Sequence, residues 1–162
     1  MPMRTEAEVN SAIDRYSDMV LRLCMVNLKN SADAEDIFQN VFLKYTLSSI
    51  AFTSEEHEKA WFIRVTINAC KDLLKSFFHS RTVTLDDFSD YAPEVTPEQY
   101  AVMEALWALP KHYRDVIYLH YYEGYTAAEI AGILHKNTNT VYTHLNRGKE
   151  LLKESLGGVT NG

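Results

Sequence analysis

The sequence is poor in most of the features that carry chemistry. Its two cysteines, Cys24 and Cys70, are far apart and lack CxxC or Cys/His spacing, so neither a disulfide framework nor a zinc ribbon is expected. They read as buried thiols, with a redox pair as the less simple alternative. No apolar run is long enough to span a bilayer. Residues 1–10 are polar and charged rather than patterned as a signal peptide, so the expected location is the cytoplasm. There is no phosphate-cradling glycine loop, no dinucleotide fingerprint and no nucleophile motif, which leaves no catalytic residue and no cofactor to expect. The histidines His57, His79, His112, His120, His135 and His144 form no ligand pair on one helical turn with a third partner nearby, which argues against a metal site. Strand alternation and internal repeats are also missing.

Positive charge is scarce too. The net charge is −6, an awkward value for a nucleic-acid binder. Its distribution resolves the difficulty. Residues 82–99 carry five carboxylates (Asp86, Asp87, Asp90, Glu94 and Glu98) and no basic side chain. Residues 1–81 carry 10 basic and 11 acidic groups, and residues 100–162 carry six of each. The flanking segments are thus near neutral and can still present local basic faces.

What remains is apolar content, 46% of the chain, arranged with helical period. Val9, Ala12, Ile13, Tyr16, Val20 and Leu23 follow three- and four-residue steps, with Asn27 as a polar break at the end. A second helix opens near 31–33, with Asp33, Glu35 and Asp36 at its positive end and a stripe of Ala34, Ile37, Phe38, Val41 and Tyr45. A third is expected after Thr53, with Glu56 completing a capping box, running through Trp61, Val65, Ala69 and Leu73 towards Phe77. The period then stops until Thr96 and Pro97, an N-cap followed by a first-turn proline. A helix after Pro110 carries Val116, Ile117, His120 and Tyr121, and Gly124 can end it in a left-handed conformation. The expected fold is all-α: a helical domain over 1–81, an acidic tether over 82–96, and a second helical domain over 97–157.

The sharpest local pattern lies at 125–152. Thr126 and Glu129 form a capping box ahead of a short helix with Ile130, Ala131, Ile133 and Leu134. A break at His135, Lys136 and Asn137 follows, and a second helix begins near Thr138 with Asn137 as its cap. A left-handed residue is wanted at His135, and histidine tolerates that conformation better than most. Val141 can plug the corner against the small Ala131, followed by Leu145, Gly148 and Leu152. A short helix, a tight turn and a longer amphipathic helix fit a helix-turn-helix, whose second helix enters the major groove. Its exposed face, Asn139, Thr140, Tyr142, Thr143, Asn146 and Arg147, is rich in base-edge and phosphate hydrogen-bonding groups. An ordinary helical hairpin with an idle polar face is the alternative.

These residues resemble a known family. Leu106, Leu109, Pro110, Arg114, Val116, Leu119, Glu123, Gly124, Thr126, Glu129, Ile130, Ala131, Leu134, Thr140, Val141, Thr143, Leu145 and Arg147 match the C-terminal pattern of the extracytoplasmic-function (ECF) sigma factors, group IV of the bacterial sigma family. DAEDIFQNVFL at 33–43 resembles that family's polymerase-docking helix, and KAWFIRVTINACKDLLK at 59–75 its −10-element helix. The resemblance implies a factor that binds core RNA polymerase, through the clamp helices of its largest subunit, and directs initiation at particular promoters. A membrane-linked anti-sigma partner is implied as well. No small-molecule substrate is implied.

The resemblance assigns roles that the side chains can bear. Residues 31–46 would dock on polymerase through Asp33, Glu35, Asp36, Gln39, Phe42 and Leu43, an apolar centre with a charged rim, although Phe42 could instead belong to a wide core stripe. Residues 50–81 would engage and help open the −10 region. Phe52, Trp61 and Asn68 suit a flipped-base pocket, and Arg64, Lys71, Lys75 and Arg81 suit the strand backbone. Trp61 could equally be plain core. Residues 125–153 would read the −35 element through Thr138, Asn139, Thr140, Tyr142, Thr143, Asn146, Arg147 and Lys149. Tyr142 and His144 stand where the family usually has Lys and Arg, so weak intrinsic DNA affinity is expected. In the family the linker threads polymerase channels, where the five carboxylates could mimic a nucleic-acid backbone, which neutralising Asp86, Asp87 and Asp90 would test. A free-standing helix-turn-helix regulator, or an adaptor that binds polymerase or an anti-sigma factor without reading promoters, remains an alternative reading.

Overall fold

A computed structural model describes residues 3–76 and 96–160. The chain divides into two compact units, Met1–Asp87 and Phe88–Gly162. All the described regular structure is helical. Arg81, Phe77, His79 and the acidic residues Asp86, Asp87, Asp90 and Glu94 lie outside the described residues, as does the expected tether except for Thr96. Among the described residues no helix is long and apolar enough to cross a membrane.

The first unit contains α1 (Glu6–Asn27), α2 (Ser31–Leu47) and α3 (Glu55–Ser76), each packed against the other two. Helix α1 starts earlier than its apolar period suggests. Thr5 and Glu8 close a reciprocal capping box, which satisfies free N–H groups of the first turn. Asn30 caps α2 by accepting from the Asp33 amide at 3.0 Å. The start of α3 differs from the expected Thr53/Glu56 pair. Ser54 is the cap, its hydroxyl accepting from the His57 amide at 3.1 Å, while the Thr53 N–H is spent on His57 Nδ1 at 3.1 Å. The buried face of α3 is also wider than its expected stripe. Phe62, Ile63, Thr66 and Cys70 are buried while Val65 and Leu73 are only half-buried, because α3 faces two helices rather than one.

The core of this unit is aromatic. Phe62 is fully buried and lies within 4.8–5.2 Å of the rings of Tyr16, Phe42, Tyr45 and Trp61. Such tilted and edge-on ring pairs add specific attraction to the burial of large apolar areas. One carboxylate sits among them. Glu58 is buried and accepts from the Tyr16 hydroxyl at 2.9 Å and the Tyr45 hydroxyl at 2.8 Å, with Arg15 Nη1 at 2.9 Å. Three helices are thereby joined at one satisfied charge. Burial, together with hydrogen bonding to Glu58, raises both phenols, Tyr45 to about 12. Cys24 and Cys70 are buried and unlinked. Hydrogen bonding to Cys70 and burial hold the Cys24 thiol well above its usual range, leaving it neutral.

The second unit contains α4 (Pro97–Ala108), α5 (Lys111–Ile117), α6 (Ala127–Leu134) and α7 (Thr138–Thr160), with a π-helical segment, Tyr118–Tyr122, continuing α5. Helix α7 is the hub against which α4, α5 and α6 pack. At Gly148 an added Cβ would lie 3.0 Å from Ile117 Cγ1 and 3.2 Å from Tyr113 Cβ, so this glycine is what lets α5 and α7 approach. The π-helical segment shifts the register after Ile117. Tyr121 and Tyr122 therefore emerge at 58% and 64% exposure, and Tyr121 does not join the stripe expected for it. Gly124 ends the run at φ +79°.

Candidate nucleic-acid interface

The turn between α6 and α7 is built from local chemistry. Thr126 accepts from the Glu129 amide at 3.1 Å, and the Glu129 carboxylate accepts from the Thr126 amide at 2.9 Å. Those bonds hold Glu129 below the ordinary carboxylate range. Helix α6 stops at His135, which is left-handed (φ 55°, ψ 48°), and the Lys136 amide returns to the Ala131 carbonyl at 2.9 Å. The Asn137 side chain then accepts from the Asn139 amide at 2.8 Å, which starts α7. Val141, fully buried, and Leu145 fill the corner against Ile130 and Ala131, which are also buried.

With that row turned inward, the opposite row of α7 is free. Asn139, Thr140, Tyr142, Thr143, Asn146, Arg147 and Lys149 are all exposed, and Thr138 is half-buried. The Thr143 hydroxyl is engaged with the Asn139 carbonyl at 3.0 Å, and Arg147 lies 3.5 Å from Glu150, an exposed pair of little energetic weight. His144 leaves this face. It packs on His112 at 4.7 Å and Tyr113 at 5.4 Å between ring centroids. Burial, then the proximity of His112 and Lys136, lowers its pKa.

The candidate −10 residues fall into two groups. Phe52 and Trp61 meet edge-on at 5.9 Å, with His57 against Phe52 at 5.1 Å. Phe52 is half-buried, whereas Trp61 is buried and is a core residue that backs Phe52 rather than an open stacking surface. Asn68, Lys71 and Lys75 are exposed and Arg64 is half-buried; at spacings of four, three and four they share one side of α3.

On α2 the expected docking row changes membership. Glu35, Asp36, Gln39 and Leu43 are exposed, with Leu43 at 55%, and Asp33 is half-buried at the helix start. Phe42 does not belong with them. It is 6% exposed, 4.9 Å from Phe38 and 5.2 Å from Phe62, because α2 turns its 38/41/42/45 side towards α1 and α3. Leu47, 56% exposed and one turn beyond Leu43, extends the row in its place. The step of four from Glu35 through Gln39 and Leu43 to Leu47 was the signal for it. Nothing local pointed to the contacts of Arg4 with Tyr45 and Ile50, or of Glu58 with Arg15, Tyr16 and Tyr45, which span long stretches of the chain.

Comparison with known proteins places these units. The Sigma-70 region 2 family matches residues 12–77, and the Sigma-70 region 4 family matches residues 99–152. The RNA polymerase sigma factor SigV of Bacillus subtilis is 30% identical over 155 residues, 94% of this chain and 93% of that protein. The chain belongs to the ECF sigma factors. SigW of Bacillus subtilis, an ECF RNA polymerase sigma factor, is 27% identical over 161 residues, covering 89% of this chain and 86% of that one. Two solved structures share the fold at 17% identity. The sigma factor RpoE of Bartonella quintana, crystallised with the anti-sigma factor NepR, gives a TM-score of 0.74 over 93% of this chain and 97% of that one. CnrH, solved with the cytosolic domain of CnrY, gives 0.68 over 96% and 92%. As an ECF sigma factor, the protein binds core RNA polymerase and directs promoter-specific transcription initiation. Within this sigma factor, the region 2 match falls on α1–α3 and the region 4 match on α4–α7.

Proposed function

We propose that this sigma factor divides its work among three surfaces. The outer row of α2, Glu35, Asp36, Gln39, Leu43 and Leu47, with Asp33 at its head, docks on the clamp of core polymerase. The α2–α3 loop with Phe52, and the side of α3 bearing Arg64, Asn68, Lys71 and Lys75, handle the −10 element. The outer face of α7, from Thr138 to Lys149, reads the −35 element. The carrying observation is that face of α7. Amide, hydroxyl, phenol and guanidinium groups stand exposed in one row, while Val141, Leu145 and Gly148 anchor the opposite one. Amides and guanidinium are the groups that pair with base edges, and lysine and hydroxyls suit phosphates. The role requires no catalytic residue. It places the protein in the cytoplasm beside polymerase, with an anti-sigma factor as its regulator, the class of partner named for the structurally similar RpoE.

Few cations stand on the α7 face. With about three or four phosphates contacted, the salt slope of DNA binding is expected near −3 to −4. Affinity then depends on polymerase holding both units on one promoter, so that the second contact forms at high effective concentration. The test adds the purified protein to sigma-free core polymerase and maps start sites on genomic DNA. Discrete starts that weaken with Asn146→Ala and Arg147→Ala support the assignment. Core binding without starts would mean an adaptor, and neither activity would mean a free-standing regulator.

A further inference from the structure

Arg4 lies eight residues before the region 2 match begins, yet its side chain reaches into the unit and is only 12% exposed. Its Nε donates to the Tyr45 carbonyl at 3.0 Å and its Nη2 donates to the Ile50 carbonyl. Its backbone N–H donates to the Thr46 carbonyl at 3.1 Å. The guanidinium carbon lies 4.3 Å from the Tyr45 ring centroid and 5.2 Å from that of Phe52. Tyr45 and Phe52 are themselves nearly parallel, 13° apart with centroids at 6.3 Å. One side chain therefore touches the end of α2, the middle of the following loop and the exposed-edge aromatic of that loop.

We propose that Arg4 is a positioning residue that sets the α2–α3 loop, and with it the plane of Phe52, in the geometry that meets the promoter strand. The inference rests on the reading of that loop as the −10 surface. Close packing does not fix the loop on this side. A cleft of about 440 Å³ separates it from α1, lined by Arg4, Glu8, Arg15, Tyr45, Phe52 and Glu58. The guanidinium spans that cleft. Its planar fork holds two carbonyls five residues apart and lies against a ring, which a lysine ammonium cannot reproduce. Glu8 completes the arrangement. Its carboxylate closes the α1 capping box with Thr5 and faces Arg4 Nη1 at 3.5 Å, tying the fork to a helix start. A loop prepared in this way need not be ordered at the moment a base is captured, and that saving should appear in promoter opening rather than in polymerase binding.

The experiment compares full-length wild type, Arg4→Ala and Arg4→Lys as holoenzymes on a promoter identified by start-site mapping. Opening is followed by 2-aminopurine fluorescence in the −10 element. Capture is followed by affinity for a template with an unpaired −10 region carrying each of the four bases in turn. Loss of two charge-assisted hydrogen bonds predicts opening slowed about tenfold in both variants, with core affinity within about twofold of wild type. It also predicts flattened discrimination among the four bases on the unpaired template, which a merely structural role would leave intact. Unchanged opening, or slowed opening with equal loss of core affinity and intact base discrimination, overturns the proposal. If Arg4→Ala does not fold by circular dichroism, Arg4→Lys, which keeps the charge and the aliphatic stem, decides alone. Phe52→Ala separates the two layers of the argument. Normal opening with Phe52→Ala refutes the −10 reading of the loop. A defect in Phe52→Ala without one in Arg4→Ala refutes only the role of Arg4.

Discussion

The two units each leave helical faces exposed, and they build them from different materials. The α1–α3 unit gathers large rings around Phe62 and spans its three helices with the buried Glu58 carboxylate. The α4–α7 unit relies on small residues and local bonds: Gly148 under Ile117, Ala131 at the corner, the Thr126 capping box and the left-handed His135. The first derives its geometry from long-range contacts. The second writes the geometry of its α6–α7 corner into short stretches of backbone. A site on the first is therefore sensitive to residues distant in the chain, and a site on the second to its own caps and corners.

Each unit contains one tryptophan, Trp61 and Trp107, both buried. Trp107→Phe and Trp61→Phe backgrounds thus let the two units be followed separately by fluorescence in the full chain. The largest effect is expected for Glu58→Ala, which removes the carboxylate shared by two buried phenols and Arg15. It should destabilise the first unit by about 3 kcal/mol, and Glu58→Gln by clearly less. Equal losses for both would show that the charge is irrelevant. Gly148→Val should cost the second unit about 1–3 kcal/mol by forcing α5 from α7, without moving the Trp61 transition. Thr126→Ala should cost that unit about 1 kcal/mol, since one reciprocal cap is lost. A loss spreading to the Trp61 transition in either variant would break the picture of two separately built units.

The remaining effects are in pH, and they have opposite signs. His144 has a folded pKa below its ordinary 6.5, so the unfolded chain takes up its proton first. The stability it contributes is complete above about pH 6.5 and declines as the pH falls below that value. Tyr45, raised from 10.0 to about 12, does the reverse. Its contribution is complete below pH 10 and is lost as the pH rises towards 12. Acid should therefore weaken the Trp107 transition, and His144→Gln should flatten that dependence. Alkali should weaken the Trp61 transition, and Tyr45→Phe should reduce that dependence while the raised Tyr16 phenol sustains the rest. A common pH profile for both transitions would contradict the assignment.

Legibility followed the same division. The Thr126–Glu129 box, the left-handed His135, the Asn137 cap and the inward Val141 and Leu145 could all be read from neighbours a few residues apart, because caps, turns and helical period are local properties of the backbone. The exposed face of α7 followed directly from them. The faces proposed for the −10 element and for docking were less legible. Phe42 and Leu43 are adjacent, both large and both apolar, and nothing in their immediate sequence distinguishes the buried one from the exposed one.

By itself, then, the order of residues determined the helical class, the helix-turn-helix corner and the row of α7 that faces outward, since each rests on interactions within one or two turns. Tertiary structure alone decided that α2 presents Leu43 and Leu47 while enclosing Phe42, and that Trp61 supports Phe52 from within. It also brought Arg4 to carbonyls 41 and 46 residues away. The reason is geometric. Helical period states which residues share a face, but only the placement of the other helices states which face is covered.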